Sequence, residues 1–131
     1  MTSIATFLAL SLVYFPAASA TCDKQAAGSS SYQRAVKRVE ALPEYQRWLS
    51  LVSATQGAHP ARLPFVDRQI RWGRRCYWSI SAYEDQGTHL HLWQIFLVSQ
   101  DGNHILVEDL EGNPMSLAKW QASQRPGQNA P

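Results

Sequence analysis

Charge is missing from the first twenty positions: MTSIATFLALSLVYFPAASA holds no Asp, Glu, Lys or Arg. Cysteine is nearly missing from the whole chain, with two residues, Cys22 and Cys76, which argues against a thiolate metal centre. The apolar run Ile4 to Phe15 is too short to cross a bilayer as a permanent helix. An excess of one charge is also missing. Twelve Lys+Arg against ten Asp+Glu give a formal net charge of +2, too mild to make nucleic acid or an anionic membrane the main partner. The signatures of common catalytic machinery do not occur: there is no GxSxG elbow, no HExxH and no phosphate-binding loop. No internal repeat is present, and nothing implies a cofactor.

What is there begins with the leader. The apolar run followed by small residues at Ala18 and Ala20 reads as a secretory signal with an A-x-A cleavage site, leaving Thr21 first in the mature chain. Its start departs from the usual pattern in having no Lys or Arg. The expected location is periplasmic or secreted, with no stable membrane anchor. Removing residues 1–20 leaves roughly 110 residues, enough for a single core. One domain is expected over 21–123, followed by a disordered tail, 124–131. In an exported chain, two cysteines predict one disulfide, Cys22–Cys76. Closing that loop contributes about 4 kcal/mol in the chain-entropy model. The rival reading, a lipidated Cys22, fits poorly with the preceding Ser19-Ala20-Thr21, because a small residue is expected next to such a cysteine.

The mature part divides into a helical half and a strand half. Tyr32, Val36, Val39 and Leu42 recur at helical spacing, Pro43 interrupts, and Tyr45, Trp48, Leu49 and Val52 form a second apolar stripe. Proline at that point predicts a helix kinked or split in two. From Leu63 the period becomes two. Strands are expected over 65–72, 75–84, 88–99 and 104–110, with turns at Gly73, Gln86-Gly87 and Asp101-Gly102. Asn113-Pro114 is read as the opening of a short helix, Met115 to Gln121. The expected fold class is α+β: an N-terminal helix, kinked or split at Pro43, packed on a four-stranded antiparallel meander, with a short C-terminal helix.

Two-residue loops at both later turns would fix the register. Cys76, Trp78, Ile80, Ala82, Trp93, Ile95, Leu97, Leu106 and Leu110 would then share a face under the helices. The opposite face would carry Tyr77, Ser79, Ser81, Tyr83, Leu90, Leu92, Gln94, Phe96, Val98, Ile105, Val107 and Asp109. A face mixing tyrosines, hydroxyls and aliphatics suits a protein interface. Its alternative use is to receive the C-terminal segment through Leu117 and Trp120.

Chemical constellations are sparse. The doublets Glu84-Asp85 and Glu108-Asp109 sit at strand ends, where solvated turn caps are the ordinary use of carboxylates. His89 and His91, two apart on one strand with Glu84 facing His89 across the hairpin, offer an incomplete zinc set, so no metal is expected. Arg68, Arg71, Arg74 and Arg75 surround Trp72, with Arg62 nearby, and suit an acidic partner rim or a solvated strand edge.

The stripe Tyr32 to Val52, the segment GRRCYWSISAYEDQG, the strand HLHLWQIFLV and the hairpin DGNHILVEDLEG together resemble small exported folds in which a helix wraps a curved antiparallel sheet, such as cystatin-like and nuclear-transport-factor-like domains. The layout of leader, about a hundred residues, one disulfide and no catalytic motif is also similar to that of periplasmic immunity proteins. That resemblance is one of layout, and no site residue is carried over from it. It implies a non-enzymatic binding protein that neutralises a partner enzyme or toxin by occlusion. Tyr77, Tyr83, Leu92 and Phe96 would be the contact anchors, and Arg71, Arg74 and Arg75 would steer. The alternatives are a homodimeric envelope scaffold using the same face, and a small hydrolase using Glu84, Glu108 or Asp109.

Overall fold

The structure, a computed structural model, describes Cys22 and residues 29–56 and 61–124. The expected leader, residues 1–20, and the tail beyond Gln124 lie outside the described residues. Gln124, assigned to the tail above, is instead the C-cap of the last helix.

Ser29 starts the first helix, α1 (Ser30–Glu40), by accepting the Tyr32 N–H on its hydroxyl. Ala35 and Val39 are buried and Tyr32 and Val36 half-buried, so the three- and four-residue spacing becomes one packed stripe. Pro43 splits the helical region as its chemistry requires, occupying the first position of α2 (Pro43–Gln56), where no N–H is needed. The Gln46 side-chain amide donates back to the Glu40 carbonyl at 2.6 Å, satisfying an open end of α1. Leu42, Tyr45, Trp48 and Val52 carry the buried stripe onward into α2.

Five antiparallel strands follow in sequence order: β1 (Ala61–Trp72), β2 (Arg75–Asp85), β3 (Leu90–Ser99), β4 (Ile105–Glu108) and β5 (Pro114–Ser116). The expected four-stranded meander is therefore a five-stranded one. Asn113-Pro114 opens no helix; Pro114 begins the short edge strand β5, a place where its missing N–H is harmless. The last helix, α3 (Leu117–Ser123), starts later, with Ser116 as its N-cap accepting from the Lys119 N–H.

The two later turns behave differently. At Asp101-Gly102 the expected register holds, with Leu97 opposite Leu106 and Val98 opposite Ile105, but the loop closed by the Ser99–His104 bond is the four residues Gln100–Asn103 rather than two. Gly102 has φ +79° and lies against α1, where an added Cβ would meet Arg34 Cδ at 3.1 Å. Arg38 Nε donates to the Gly102 carbonyl at 3.0 Å, and Arg34 donates to the Gln100 carbonyl at 3.4 Å, so α1 clamps this turn. At Gln86-Gly87 the two-residue loop is wrong. Asp85 pairs with Leu90, leaving Gln86, Gly87, Thr88 and His89 as a four-residue loop. That moves the register by two, which preserves the faces. A bulge then moves it by one more, because Tyr83 pairs with Leu92 but Ala82 pairs with Gln94, leaving Trp93 as the extra residue.

Everything in β3 beyond Trp93 consequently turns over. Phe96 and Val98, with Ile105 and Val107 of β4, join Trp78, Ile80 and Ala82 in the core under the helices. Ile95, Leu97 and Leu106 do not belong to that core cluster, and Leu110 is fully exposed. The C-terminal residues expected to cover the opposite face lie elsewhere: Trp120 is buried on the helix side, edge-on to Phe96 at 5.4 Å, and Leu117 packs there too. The middle of the opposite face is nevertheless buried at Tyr77, Ser81 and Leu97.

Trp93 is the hub of this core. Its ring stacks on Trp48 at 4.5 Å with planes 4° apart, and its centroid lies 5.9 Å from Phe96 and 6.1 Å from Trp120. Such pairs each contribute about 0.5–1.5 kcal/mol beyond their buried area. The Cys22–Cys76 disulfide is formed, tying the chain before α1 to the start of β2 across 54 residues.

Two stability measurements follow. Phe96→Ala should cost about 3–5 kcal/mol in urea unfolding, as for a buried aromatic, while Leu92→Ala costs under about 1 kcal/mol; the reverse order would mean that β3 presents its other face. Cys22→Ala/Cys76→Ala should lose about 2–4 kcal/mol relative to the oxidised wild type, and equal stability would remove the disulfide from the account.

Candidate binding surface

The seven residues proposed from sequence as contacts do not form one surface. Arg71, Arg74 and Arg75 are exposed at the β1–β2 tip, where Trp72 pairs with Arg75 and is half-exposed. Arg74 and Arg75 border a cleft of about 410 Å³ with Ser99, Gln100 and Asp101. The side chains of Arg62 and Arg68 lie outside the described residues. Tyr83 and Leu92 pair with each other near the far end of the β2–β3 hairpin, roughly 25 Å along the strand from the arginines. Tyr77 is 4% exposed, and Phe96 is fully buried among aromatics, so neither presents an anchor to a partner; Phe96 is corrected to a core residue because of the bulge. Leu92, at 42% exposure, remains accessible.

The histidine constellation also changes. His89 lies in the four-residue loop rather than on a strand, its Nδ1 within 3.0 Å of the Thr88 hydroxyl, and Glu84 pairs with His91 instead. Among the described residues no group of three His, Cys, Asp or Glu is placed to hold a metal ion.

The open end of the sheet carries features that sequence reasoning missed. The bridges between β3 and β4 stop at Phe96 and Val107, and β4 ends one residue later at Glu108, leaving a gap beside the first half of β3. The gap is a groove of about 510 Å³ between Leu92–Ile95 on one side and Glu108–Gly112 on the other, floored by Met115 and Trp120. Gln94 bridges its base: its amide N–H donates to the Glu108 carbonyl at 2.6 Å, while its oxygen accepts the Trp120 indole N–H at 3.2 Å. A smaller cleft of about 230 Å³ adjoins, sharing Trp93 and Gln124 and bordered by Glu44, Arg47 and Trp48. Leu90, Leu92 and Leu110 stand exposed around this end. The doublet Glu108-Asp109 was visible in the sequence, but the separation of the strands beside it was not, because a ladder's end has no residue signature.

Two carboxylates at this end, Asp109 and Glu108, are shifted in opposite directions. Asp109 Oδ1 accepts the Asn113 and Glu111 backbone N–H groups at 2.8 and 2.9 Å, which shapes the loop and holds its carboxyl below the usual range. It is a turn-forming residue, not a free catalytic group. Burial, then the neighbouring Asp109, pushes Glu108 upward. At the opposite end Asp101 is lowered by the Ser99 hydroxyl and the Asn103 N–H.

Acidic groups predominate at the open end, with Glu84, Asp85, Glu108, Asp109 and Glu111, although Arg62 pairs with Tyr83 there and Arg47 borders the adjoining cleft. Arg71, Arg74 and Arg75 sit at the other end with Arg34 and Arg38 of α1, and Asp101 lies among them.

No family model, curated protein or solved structure matches this chain. Among the described residues no helix is long and apolar enough to cross a membrane.

A depressed folded-state pKa gives stability that is present above the unfolded value and lost as pH falls through the folded one. For Asp101 and Asp109 that window lies below about pH 4. Glu108, raised in the fold, acts oppositely, and its protonation on acidification relieves a strain. The melting temperature should therefore hold from neutral to mildly acidic pH and then fall. Asp109→Asn should melt lower at neutral pH but show a shallower acid limb; an identical limb would mean that the loop does not hold the carboxylate.

Proposed function

We propose that this chain is an exported, non-enzymatic binding protein of the inhibitor or immunity type, which neutralises a partner enzyme or toxin by covering its working surface. The intramolecular disulfide supports export, since such bonds persist in oxidising compartments. The observation that carries the binding role is the display of Leu92 and Leu110 on one groove, at 42% and 107% exposure, with Leu90 at 40% at the same end of β3. Leucines held in water by short strand ends and a glycine-containing loop contribute little to this domain's own core, and they are the kind of apolar surface that a partner desolvates. Tyr83, beside Leu92, extends the patch as an amphipathic contact. The contact surface is therefore the open end of the sheet rather than its broad outer face. The arginine tip, at the other end of the strands, contributes long-range steering towards an acidic partner rather than direct anchoring.

The test is site-specific photocrosslinking in the native host. A benzoylphenylalanine in place of Leu110 or Leu92 should give a discrete adduct with one other protein, absent when Lys37 on the exposed side of α1 carries the probe. An adduct of this chain with itself would replace the inhibitor reading by homodimeric assembly. The same adducts from all three positions, or none, would overturn the surface assigned.

A further inference from the structure

The groove has a wall with an unusual property. Among the described residues Leu90–Gln94 of β3 pair with β2 on one side only, because the bridges with β4 run over Phe96–Val98. A strand segment with one unpaired side is a template for another strand. From Leu92 onward this segment lines the groove of about 510 Å³, with Met115 and Trp120 on its floor. The opposite wall carries Glu108, Asp109 and Glu111. Glu111 also accepts from the Asn113 side chain at 3.4 Å, and the Glu111 and Asn113 backbone N–H groups hold the Asp109 carboxylate, so acidic side chains are built into the rim.

We infer that the groove binds an extended segment of the partner protein by strand addition to Leu90–Gln94, and that the segment alternates apolar residues with Lys or Arg. This deepens the proposed binding role and rests on it. The alternation follows from strand geometry: successive side chains of an added strand point to opposite sides. One set meets the indole of Trp120 and the side chain of Met115, and the other meets the carboxylate rim. Main-chain hydrogen bonds supply affinity without regard to sequence, while the carboxylates select for cations. An acidic segment would bring like charges together and be rejected.

The experiment uses the mature, oxidised protein and a short capped peptide of alternating leucine and lysine. Binding is read from tryptophan fluorescence and from amide shifts in ¹⁵N spectra. Micromolar binding is expected, with the largest shifts at Leu90–Gln94, and weakening as salt is raised. A peptide with glutamate for lysine should bind at least about tenfold more weakly, as should one N-methylated at alternate backbone positions. Glu108→Gln/Glu111→Gln should weaken the lysine peptide by about fivefold while keeping the native amide spectrum. Equal binding of the glutamate or N-methylated peptide, or shifts centred away from β3, would overturn the inference. Failure of the peptide while the Leu110 crosslink still captures a single other protein would refute strand addition and leave the binding role standing. Failure of both would remove the two together.

Discussion

One indole ring sets the layout of this molecule. Trp93 is the extra residue of a bulge in β3, and it inserts among Trp48, Tyr45, Phe96 and Trp120. A bulge places two consecutive residues towards the same side of a sheet. Trp93 reaches the helix-side aromatics, and its neighbour Gln94 reaches the Trp120 indole and the Glu108 carbonyl. The aromatic contacts offset the lost ladder pairing, and Gln94 satisfies polar groups that the bulge would otherwise leave open. With β3 turned over beyond this point, Phe96 and Val98 enter the core, and the strand end before it is freed from β4.

The parts legible in the sequence were those with local causes. Proline at 43 cannot donate, so the split helix was readable. Helical spacing marked the buried stripes, and the β3–β4 register centred on Asp101-Gly102 was readable from the glycine that takes positive φ there, although the loop is longer than the two residues expected. Two cysteines in a chain read as exported gave the disulfide. What escaped had causes distant in sequence. Nothing in Leu92-Trp93-Gln94 announces a bulge; it exists because Trp48 and Trp120 arrive from other elements to receive the ring. The four-residue loop Gln86–His89 escaped because Gly87 suits turns of more than one length. β5 is too short to show a period.

The same distinction governs the candidate site. Its carboxylates and leucines were visible individually, but their meeting depends on where the β3–β4 ladder ends. Tyr77 and Phe96, chosen as anchors from an assumed unbroken register, proved to be buried, whereas Leu110, assigned to the core, is the most exposed apolar residue at the groove. Acidic groups predominate at the open end and arginines at the other, with Arg47 and Asp101 lying against that trend. Such an arrangement orients an approaching partner, with the apolar contacts then holding it.

The account stands on the bulge at Trp93, and cross-strand nuclear Overhauser effects read it directly. Contacts from Ile80 to Phe96 and from Trp78 to Val98, together with Tyr83 to Leu92, are the expected pattern. An unbroken ladder in which Ile80 meets Trp93 and Trp78 meets Ile95 would return Phe96 to the outer face, close the groove's rationale and contradict the account.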